Sequence, residues 1–322
     1  MVMRRGFTLI EMIVTIVILG ILSAGTFVSL QHLYLRSAKS KALSDLSAES
    51  QVIVDQIASL MYDRVPSSVI GYDGDTGNFE SIYDLTNTFT ILEWIGIASE
   101  AHKLKAYSGF VDMNASGIFS NPRLSTASII PNSIDSVTGR KFTDGNISKM
   151  GLIFAGSFDD AAIFNDFNNL FGWHDTNTTA IKISTFNTLI EGNITLTSNI
   201  PNEIYEKYYL VDSAYAIARG QHINQNAQCI KDLNDSIGGA ITDINNTLFL
   251  FYNYRPWENS SDTFCADKAK ISNDSNVTIL AKDVSSFEAG VINGVIYFNL
   301  GMERKIRGAD NNVTISKQKA VY

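Results

Sequence analysis

The sequence predicts an α+β fold in which one long N-terminal α-helix packs on an antiparallel, β-rich globular head. Two observations predict the helix: a nearly uncharged apolar run over Phe7–Leu30, and an amphipathic pattern that continues from it to about Arg64. A third predicts the head, because short β-rich runs separated by Gly, Asn, Asp and Ser replace that pattern after Pro66. With 322 residues, the chain can form one large domain or two small ones beside its terminal element.

The apolar run is long enough to cross a membrane. A helix from Phe7 to Leu30 would measure roughly 36 Å, and Glu11 is its only charged residue. Arg4 and Arg5 precede the run, so the positive-inside rule places the amino end in the cytoplasm. A cleaved secretory signal ending near Ser23-Ala24-Gly25 is the alternative, but the apolar run continues past that point. We therefore expect a single membrane span over residues 7–30.

Glu11 is the unusual residue of this run. A carboxylate within a membrane helix costs roughly 2.5–3.5 kcal/mol, so it is expected to have a partner. If the chain were cut after Gly6, the new α-amino group of Phe7 would lie about one helical turn from Glu11. The two charges could then neutralise each other, within one chain or between packed neighbours. An unpaired acid near the membrane face is the alternative.

The second half of the helix is predicted to pack under the head. Apolar or small residues recur there at three- and four-residue steps, with charged residues between them. The Val65-Pro66 pair predicts the end of the helix near Arg64. The predicted inward positions are Leu43, Leu46, Ser50, Ile53, Ile57 and Leu60, and the charged positions are Lys39, Lys41, Asp45, Glu49 and Asp55.

The head, residues 65–322, is predicted to consist of short strands. Glu288–Val291 and Ile292–Val295 have the composition of turns, and Asp159–Leu170 of a short helix. Residues 97–150 lack periodicity and predict a loop-rich insertion. The predicted strands are Thr88–Ile95, Gly151–Ala155, Thr179–Ser184, Asn193–Thr197, Tyr208–Arg219, Thr247–Tyr254, Val277–Ala281, Ser286–Ala289, Val291–Leu300 and Val313–Val321.

The N-terminal residues carry a resemblance to a known family. They read Gly6-Phe7-Thr8-Leu9-Ile10-Glu11, preceded by Arg4-Arg5 and followed by an apolar run, and this closely resembles the leader of type IV prepilins and pseudopilins. The resemblance covers about 25 residues and implies a pilin-like fold. It also implies a leader of residues 1–6, cleavage between Gly6 and Phe7 by a prepilin peptidase, and N-methylation of Phe7. Glu11 would align the incoming subunit with its neighbour in a helical fibre. Many major pilins have a proline in the second half of this segment; here Gly20 and Gly25 are the only weak points.

The C-terminal strands carry a weaker resemblance, in their order and apolar pattern. Leu248–Trp257, Ile279–Phe287 and Gly294–Leu300 are similar to the end of PilW-like minor pilins and of the J-type minor pseudopilin of type II secretion. A generic antiparallel sheet edge is the alternative. The two resemblances together imply a minor subunit that helps initiate or cap a type IV pilus or a type II secretion pseudopilus. Its partners would be other pilin-like subunits, the prepilin peptidase and inner-membrane lipid. The head would be periplasmic, in a Gram-negative bacterium.

Two alternatives within the same class remain open, and a membrane-anchored hydrolase with a pilin-like anchor is a third, disfavoured because the sequence has no catalytic constellation. The chain could belong to a competence (DNA-uptake) pseudopilus, or it could be a tip adhesin whose 97–150 insertion binds a ligand. The net charge of −8 repels the phosphate backbone, so we expect no direct nucleic-acid binding.

Cys229 and Cys265 are the only cysteines. In an exported domain, two cysteines this few residues apart favour a disulfide; two unrelated buried thiols are the alternative.

Asn-x-Ser/Thr sequons are frequent, and they mark possible N-glycosylation in an exported chain. Most also have Asp or Glu two residues earlier, which resembles the longer acceptor of bacterial N-oligosaccharyltransferases. Crowding of Asp, Asn, Ser and Thr in turns is the alternative explanation. The acidic sequons are at Asn114, Asn146, Asn177, Asn193, Asn234, Asn245, Asn276 and Asn312, and the others at Asn259 and Asn273.

We expect no enzyme, cofactor or metal site. The loop Asp73–Glu80 offers oxygen ligands but lacks the spacing of a calcium loop, so a solvated turn is favoured. The histidines are far apart in sequence, and Trp173-His174-Asp175 is interpreted as a loop anchor. The sequence contains no nucleophile elbow, P-loop or zinc-protease motif.

Overall fold

The computed structural model describes residues 8–81, 88–114, 123–125, 134, 150–156, 170–174, 183–190, 192–199, 204–258, 262–270, 275–292, 295–308 and 311–321. It has a long helix followed by antiparallel strands, which confirms the predicted α+β, pilin-like architecture. The helices are α1 (Leu9–Tyr62), α2 (Ser99–Lys103) and α3 (Gln228–Ser236). The strands are β1 (Ile70–Tyr72), β2 (Phe79–Ser81), β3 (Ile91–Ile97), β4 (Arg123–Ser125), β5 (Gly151–Phe154), β6 (Ser184–Ile190), β7 (Asn193–Ser198), β8 (Tyr208–Arg219), β9 (Leu248–Tyr254), β10 (Asn276–Ala281), β11 (Val284–Ile292), β12 (Val295–Arg304) and β13 (Val313–Val321).

Helix α1 is continuous over 54 residues, which corresponds to a rod of roughly 81 Å. It ends at Tyr62, where Asp63 is the C-cap and a 3-10 turn at Pro66–Ser68 follows. The buried stripe is Ala42, Leu46, Ser50, Ile53, Val54, Ile57 and Met61. Leu43 was predicted to face inward but is 48% exposed, because the stripe passes through Ala42, one position earlier on the helix.

In the part of the chain that the structure describes, the larger sheet has ten strands, and β8 is paired with three of them. On one edge β8 pairs with β3, from Val211 to Ala218. Its other edge is shared: residues 208–211 pair with β5 and residues 214–219 pair with β9. The long strand therefore belongs to two branches, one continuing through β5, β6, β7 and β4, the other through β9 and β10.

The smaller sheet is β11-β12-β13, and it packs on α1. Reciprocal backbone hydrogen bonds of 2.8 Å between Phe89 and Ala289 join it to the larger sheet. The turn predicted at Glu288–Val291 is wrong, because these residues lie inside β11. Gly290 is a packing residue there: a Cβ would lie 2.7 Å from the hydroxyl of Tyr297 on β12.

Both faces of the larger sheet are covered. On β3, Leu92 and Trp94 pack in a core with Leu46, Ile53 and Ile57 of α1 and with residues of the smaller sheet. Ile91 and Ile95, on the opposite face, belong to a second core with Phe249, Phe251, Phe264 and residues of α3. A third core lies near the start of β8 and includes Tyr107, Phe154, Phe186 and Leu210.

Most predicted strands are present within a few residues of their predicted limits. The elements β1, β2, β4, α2 and α3 were not predicted from the sequence, and β6 (Ser184–Ile190) was predicted too early, at Thr179–Ser184. The strand preceding Leu300 was also predicted to begin too early, at Val291 rather than Val295. The helix predicted at Asp159–Leu170 and most of the predicted insertion at 97–150 lie outside the described residues, so both stay predictions.

Candidate assembly segment and polar sites of the head

The first turn of α1 is closed by a reciprocal cap. The Thr8 backbone N–H and hydroxyl donate to Oε2 of Glu11 at 2.9 and 3.0 Å, and the Glu11 N–H donates to the Thr8 hydroxyl at 3.4 Å. This is a capping box, and it satisfies backbone donors that a helix start leaves open. The Thr-x-x-Glu spacing before an apolar run is the sequence signature of this cap.

The structure gives Glu11 a local partner, and it leaves the predicted partner untested. Gly6 and Phe7 lie outside the described residues. Cleavage after Gly6, methylation of Phe7 and the ion pair between Phe7 and Glu11 therefore stay predictions. The cap itself needs only Thr8 and Glu11, both of which remain after such a cleavage.

The apolar half of α1 has no protein covering among the described residues. An 18-residue window of this helix has a mean hydropathy of 2.4, and none of it is buried. Large side chains such as Leu9 (79%), Ile21 (69%) and Phe27 (71%) are exposed. Exposed apolar surface on this scale is strongly unfavourable in water, at roughly 25 cal/mol per Å². The segment is consistent with a single-pass membrane anchor.

Polar side chains within this segment are satisfied internally. The hydroxyl of Thr15 donates to the carbonyl of Glu11 at 2.6 Å, and that of Ser23 to Leu19 at 2.6 Å. Thr26 and Ser29 make the same kind of bond, to Leu22 and Gly25, at 2.9 and 3.0 Å. Such bonds satisfy the hydroxyl donors within the helix itself, so these side chains can lie in the hydrocarbon core of a bilayer, where no water is available.

The predicted disulfide between Cys229 and Cys265 is present, with the Cα atoms 6.4 Å apart. It joins α3 to the segment after β9. Cys265 is buried in the core under the larger sheet, and its backbone N–H donates to the Ser275 hydroxyl at 2.6 Å. The bond therefore attaches α3 to that core.

The acidic sequons differ in accessibility. Asn114, Asn245, Asn276 and Asn312 are exposed, whereas Asn193 and Asn234 are partly buried. The side-chain oxygen of Asn234 accepts from the Ile241 N–H at 3.0 Å, and that of Asn245 from Gln225 at 2.6 Å. Asn146, Asn177, Asn259 and Asn273 lie outside the described residues. Glycosylation stays a prediction.

The loop Asp73–Glu80 forms a turn and an ionic contact. Asp73 accepts from the Asp75 N–H at 2.9 Å and from the Thr76 hydroxyl at 2.8 Å. Asp75 pairs with Lys268 and, at 2.9 Å, with His222. These hydrogen bonds, from Lys268 first and His222 second, lower the pKa of the Asp75 carboxyl. The carboxylates of Asp73 and Asp75, two of the possible ligands in this loop, thus form hydrogen bonds and ion pairs with other residues of the protein.

The head also contains a buried polar cluster that was not predicted from the sequence. His174 Nε2 lies 2.7 Å from Oε1 of Glu93, and His174 Nδ1 lies 3.6 Å from Oδ2 of Asp267. The hydroxyl of Tyr254 donates to Glu93, and that of Tyr72 to Asp267, both at 2.7 Å. Burial raises the pKa of both tyrosines, so they stay protonated and donate.

The surroundings of the cluster indicate a structural role. The side chains of Glu93 and Asp267 have no exposed surface, and that of His174 is 4% exposed. The ring of His174 stacks on Tyr72 at 4.0 Å. The neighbouring Trp173 donates from Nε1 to the Ser68 carbonyl at 3.1 Å, which agrees with its interpretation as a loop anchor. The signal available in the sequence was Glu93, a lone acid within the apolar run Ile91–Ile97.

Comparison with known proteins bears on the N-terminal segment. Residues 1–27 match the family model described as the prokaryotic N-terminal methylation motif. Comparisons with curated proteins and with solved structures give no match. A prepilin-type motif implies processing by a prepilin peptidase and assembly with other pilins. The matched range contains Gly6, Phe7 and Glu11, and it continues into the exposed apolar half of α1. The chain therefore carries a type IV pilin-like prepilin segment, joined to an α+β head of pilin-like architecture.

Proposed function

We propose that this chain is a minor pilin or pseudopilin subunit that helps initiate or cap the assembly of a type IV pilus or a type II secretion pseudopilus. One observation carries the proposal: an apolar, internally satisfied helix half with no protein covering continues directly into a helix half that is packed in a large head. The apolar half of such a helix would lie in the membrane before assembly and would pack against the equivalent helices of other subunits in a fibre.

The size of the head favours a minor subunit. It follows α1 with more than 250 residues, which is bulky for the repeating subunit of a dense fibre. We propose that the head is periplasmic, in a Gram-negative cell, and that it works by contact with other subunits, without chemical turnover. The disulfide supports an oxidising compartment. The side chain of His174 is 4% exposed and those of its carboxylate partners are fully buried, so they are closed to a substrate, which supports the non-catalytic assignment of this cluster.

The test of this function is Glu11→Ala in the native host. We expect normal membrane insertion and leader cleavage, and loss of the subunit from isolated fibres, because the carboxylate that aligns neighbouring subunits is gone. Fractionation, mass measurement of the mature chain and immunoblotting of sheared fibres give the three readouts. Asp45→Ala is the matched control, since Asp45 is an exposed acid in the soluble half of the same helix.

Two outcomes would contradict the proposal. Incorporation of Glu11→Ala at the level of the unchanged chain would show that the carboxylate is not needed for assembly. Failure of the unchanged chain to appear in any fibre, with its head detected only at the membrane, would show that the prepilin segment serves only as an anchor.

A further inference from the structure

A group of basic residues lies next to the C-terminal end of the apolar segment of α1. Arg36, Lys39 and Lys41 lie on α1, and Lys305 and Arg307 lie on the connection between β12 and β13. We call these five residues the basic collar. All are exposed, and among the described residues none of them forms an ion pair. From Met12 to Ser44 the helix has no acidic residue, although the chain has a net charge of −8.

Two residues of the collar, Arg36 and Lys39, line a groove between α1 and the β12–β13 connection. Ser29, His32, Arg36 and Lys39 line it from the helix, and Gly308 lines it from the β12–β13 connection. Steps of three and four residues place the four helix positions on the same face. A Cβ on Gly308 would lie 3.8 Å from Cδ2 of Leu35, so the connection approaches the helix at this level. The groove therefore has two cations, Arg36 and Lys39, beside the apolar side chains of Leu33 and Leu35.

The position along the helix matches a lipid headgroup layer. Leu9 to Leu30 spans roughly 33 Å, which fills the hydrocarbon core, and Arg36 lies about 9 Å further on. The headgroup layer is about 5–8 Å thick on each side. Long Arg and Lys side chains reach back toward it. Tyr34, which is 70% exposed, lies at the depth where aromatic residues collect at membrane interfaces.

We propose that the basic collar binds the phosphate of an anionic phospholipid, in the leaflet on the same side as the head. This rests on the membrane anchoring proposed above. A lipid fits better than an acidic partner protein, because the groove continues along α1 into the apolar segment at Ser29, where an acyl chain would lie. Before assembly, the bound lipid holds the head against the membrane and is given up when the subunit enters a fibre.

Lipid binding to the full chain in detergent tests this proposal. Native mass spectrometry would count adducts of phosphatidylglycerol and of phosphatidylcholine with identical acyl chains. We expect phosphatidylglycerol to bind at a concentration at least about fivefold lower, since Arg36 and Lys39 line the groove and Lys305 and Arg307 lie within three residues of Gly308, which also lines it. The variant R36Q/K39Q/R307Q should bind both lipids equally. The control K105Q/K207Q/K231Q removes the same charge from exposed lysines elsewhere in the head and should keep the preference.

Several results would overturn the proposal. These are equal binding of the two lipids by the unchanged chain, a preference that survives in R36Q/K39Q/R307Q, or a preference lost in K105Q/K207Q/K231Q. Displacement of the lipid by millimolar inorganic phosphate would assign the collar to free anions. A dimer that depends on the collar, without lipid adducts, would assign it to a second copy. None of these binding measurements depends on fibre formation. A failure of the lipid-binding proposal can therefore be distinguished from a failure of the proposed function in the Glu11→Ala test. Circular dichroism of each variant would verify folding.

Discussion

At the scale of single residues, the head depends on polar groups that find partners in the interior. Glu93 occupies a position on β3 between Ile91 and Ile95, where the alternation of the strand directs it into an apolar core. Each of its carboxylate oxygens has a partner, His174 on one side and Tyr254 on the other. A buried charge is tolerated only when paired in this way, so these contacts connect β3, β9 and the Trp173-His174 segment.

Replacing Glu93 should destabilise the head more than replacing most other acids. We expect Glu93→Ala to lower the free energy of unfolding by about 3–5 kcal/mol, because it leaves His174 and the Tyr254 hydroxyl buried without their acceptor. Glu93→Gln keeps an acceptor and should lose less. Urea unfolding of the detergent-solubilised chain, followed by tryptophan fluorescence, gives the values. A loss below about 1 kcal/mol for Glu93→Ala would show that the cluster is not a structural anchor.

Asp75 gives a pH dependence with a defined sign. Its pKa is lowered by hydrogen bonds from Lys268 and His222, so the folded state binds this proton less readily than the unfolded state does. The contribution is complete above the unfolded pKa of Asp and is lost as the pH falls through the folded pKa. We expect the unchanged chain to have a higher melting temperature than Asp75→Asn at pH 7, and the difference to shrink below pH 4. A difference that grows on acidification would contradict this assignment.

At the scale of elements, α1 and the smaller sheet stabilise each other. Leu46 and Ile57 are fully buried against residues of β11, β12 and β13. Ion pairs border this contact, from Lys319 to Asp55 at 3.1 Å and from Arg304 to Glu49 at 3.0 Å. Both are partly exposed and contribute little by themselves. The apolar stripe therefore accounts for most of the attachment of the helix to the sheet.

The stripe predicts a contrast between two substitutions on the same helix. Ile57→Ala should lower the free energy of unfolding by about 2–5 kcal/mol, because it leaves a cavity between α1 and the sheets. Leu43→Ala, at a position that is 48% exposed, should change it by less than about 0.5 kcal/mol. Thermal or urea unfolding of both variants measures the contrast. Equal effects would mean that the helix is rotated relative to the orientation described here.

The sequence predicted elements with strong periodicity and missed those defined by tertiary contacts. Helix α1 and strand β8 follow directly from their side-chain patterns. The turn at Glu288–Val291 failed because Gly290 is required by the ring of Tyr297, a neighbour that composition alone does not reveal. For the candidate sites, Glu11 and the cysteine pair were readable. The cluster around His174 was not, since its hydrogen bonds join residues that are 81 to 195 positions apart in the chain.

At the scale of the whole molecule, the chain divides within α1. The buried positions of this helix run from Ala42 to Met61, whereas the large side chains from Leu9 to Leu33 are exposed. The disulfide and all three cores lie in the head or in the second half of α1. Folding of the head thus uses the soluble half of α1, and the apolar half is left for contacts outside the chain.

This division predicts the outcome of two truncations. A chain that starts at residue 36 keeps every buried position of α1, so we expect a soluble monomer with the Cys229–Cys265 bond intact and a single cooperative unfolding transition. A chain that starts at residue 51 loses Ala42, Leu46 and Ser50 and uncovers part of the smaller sheet. It should melt at a lower temperature and expose apolar surface to a dye such as ANS. Size-exclusion chromatography and calorimetry compare the two. If the longer fragment aggregates while the shorter one is soluble, residues 36–50 are not packed on the head, and the division within the helix lies closer to residue 51.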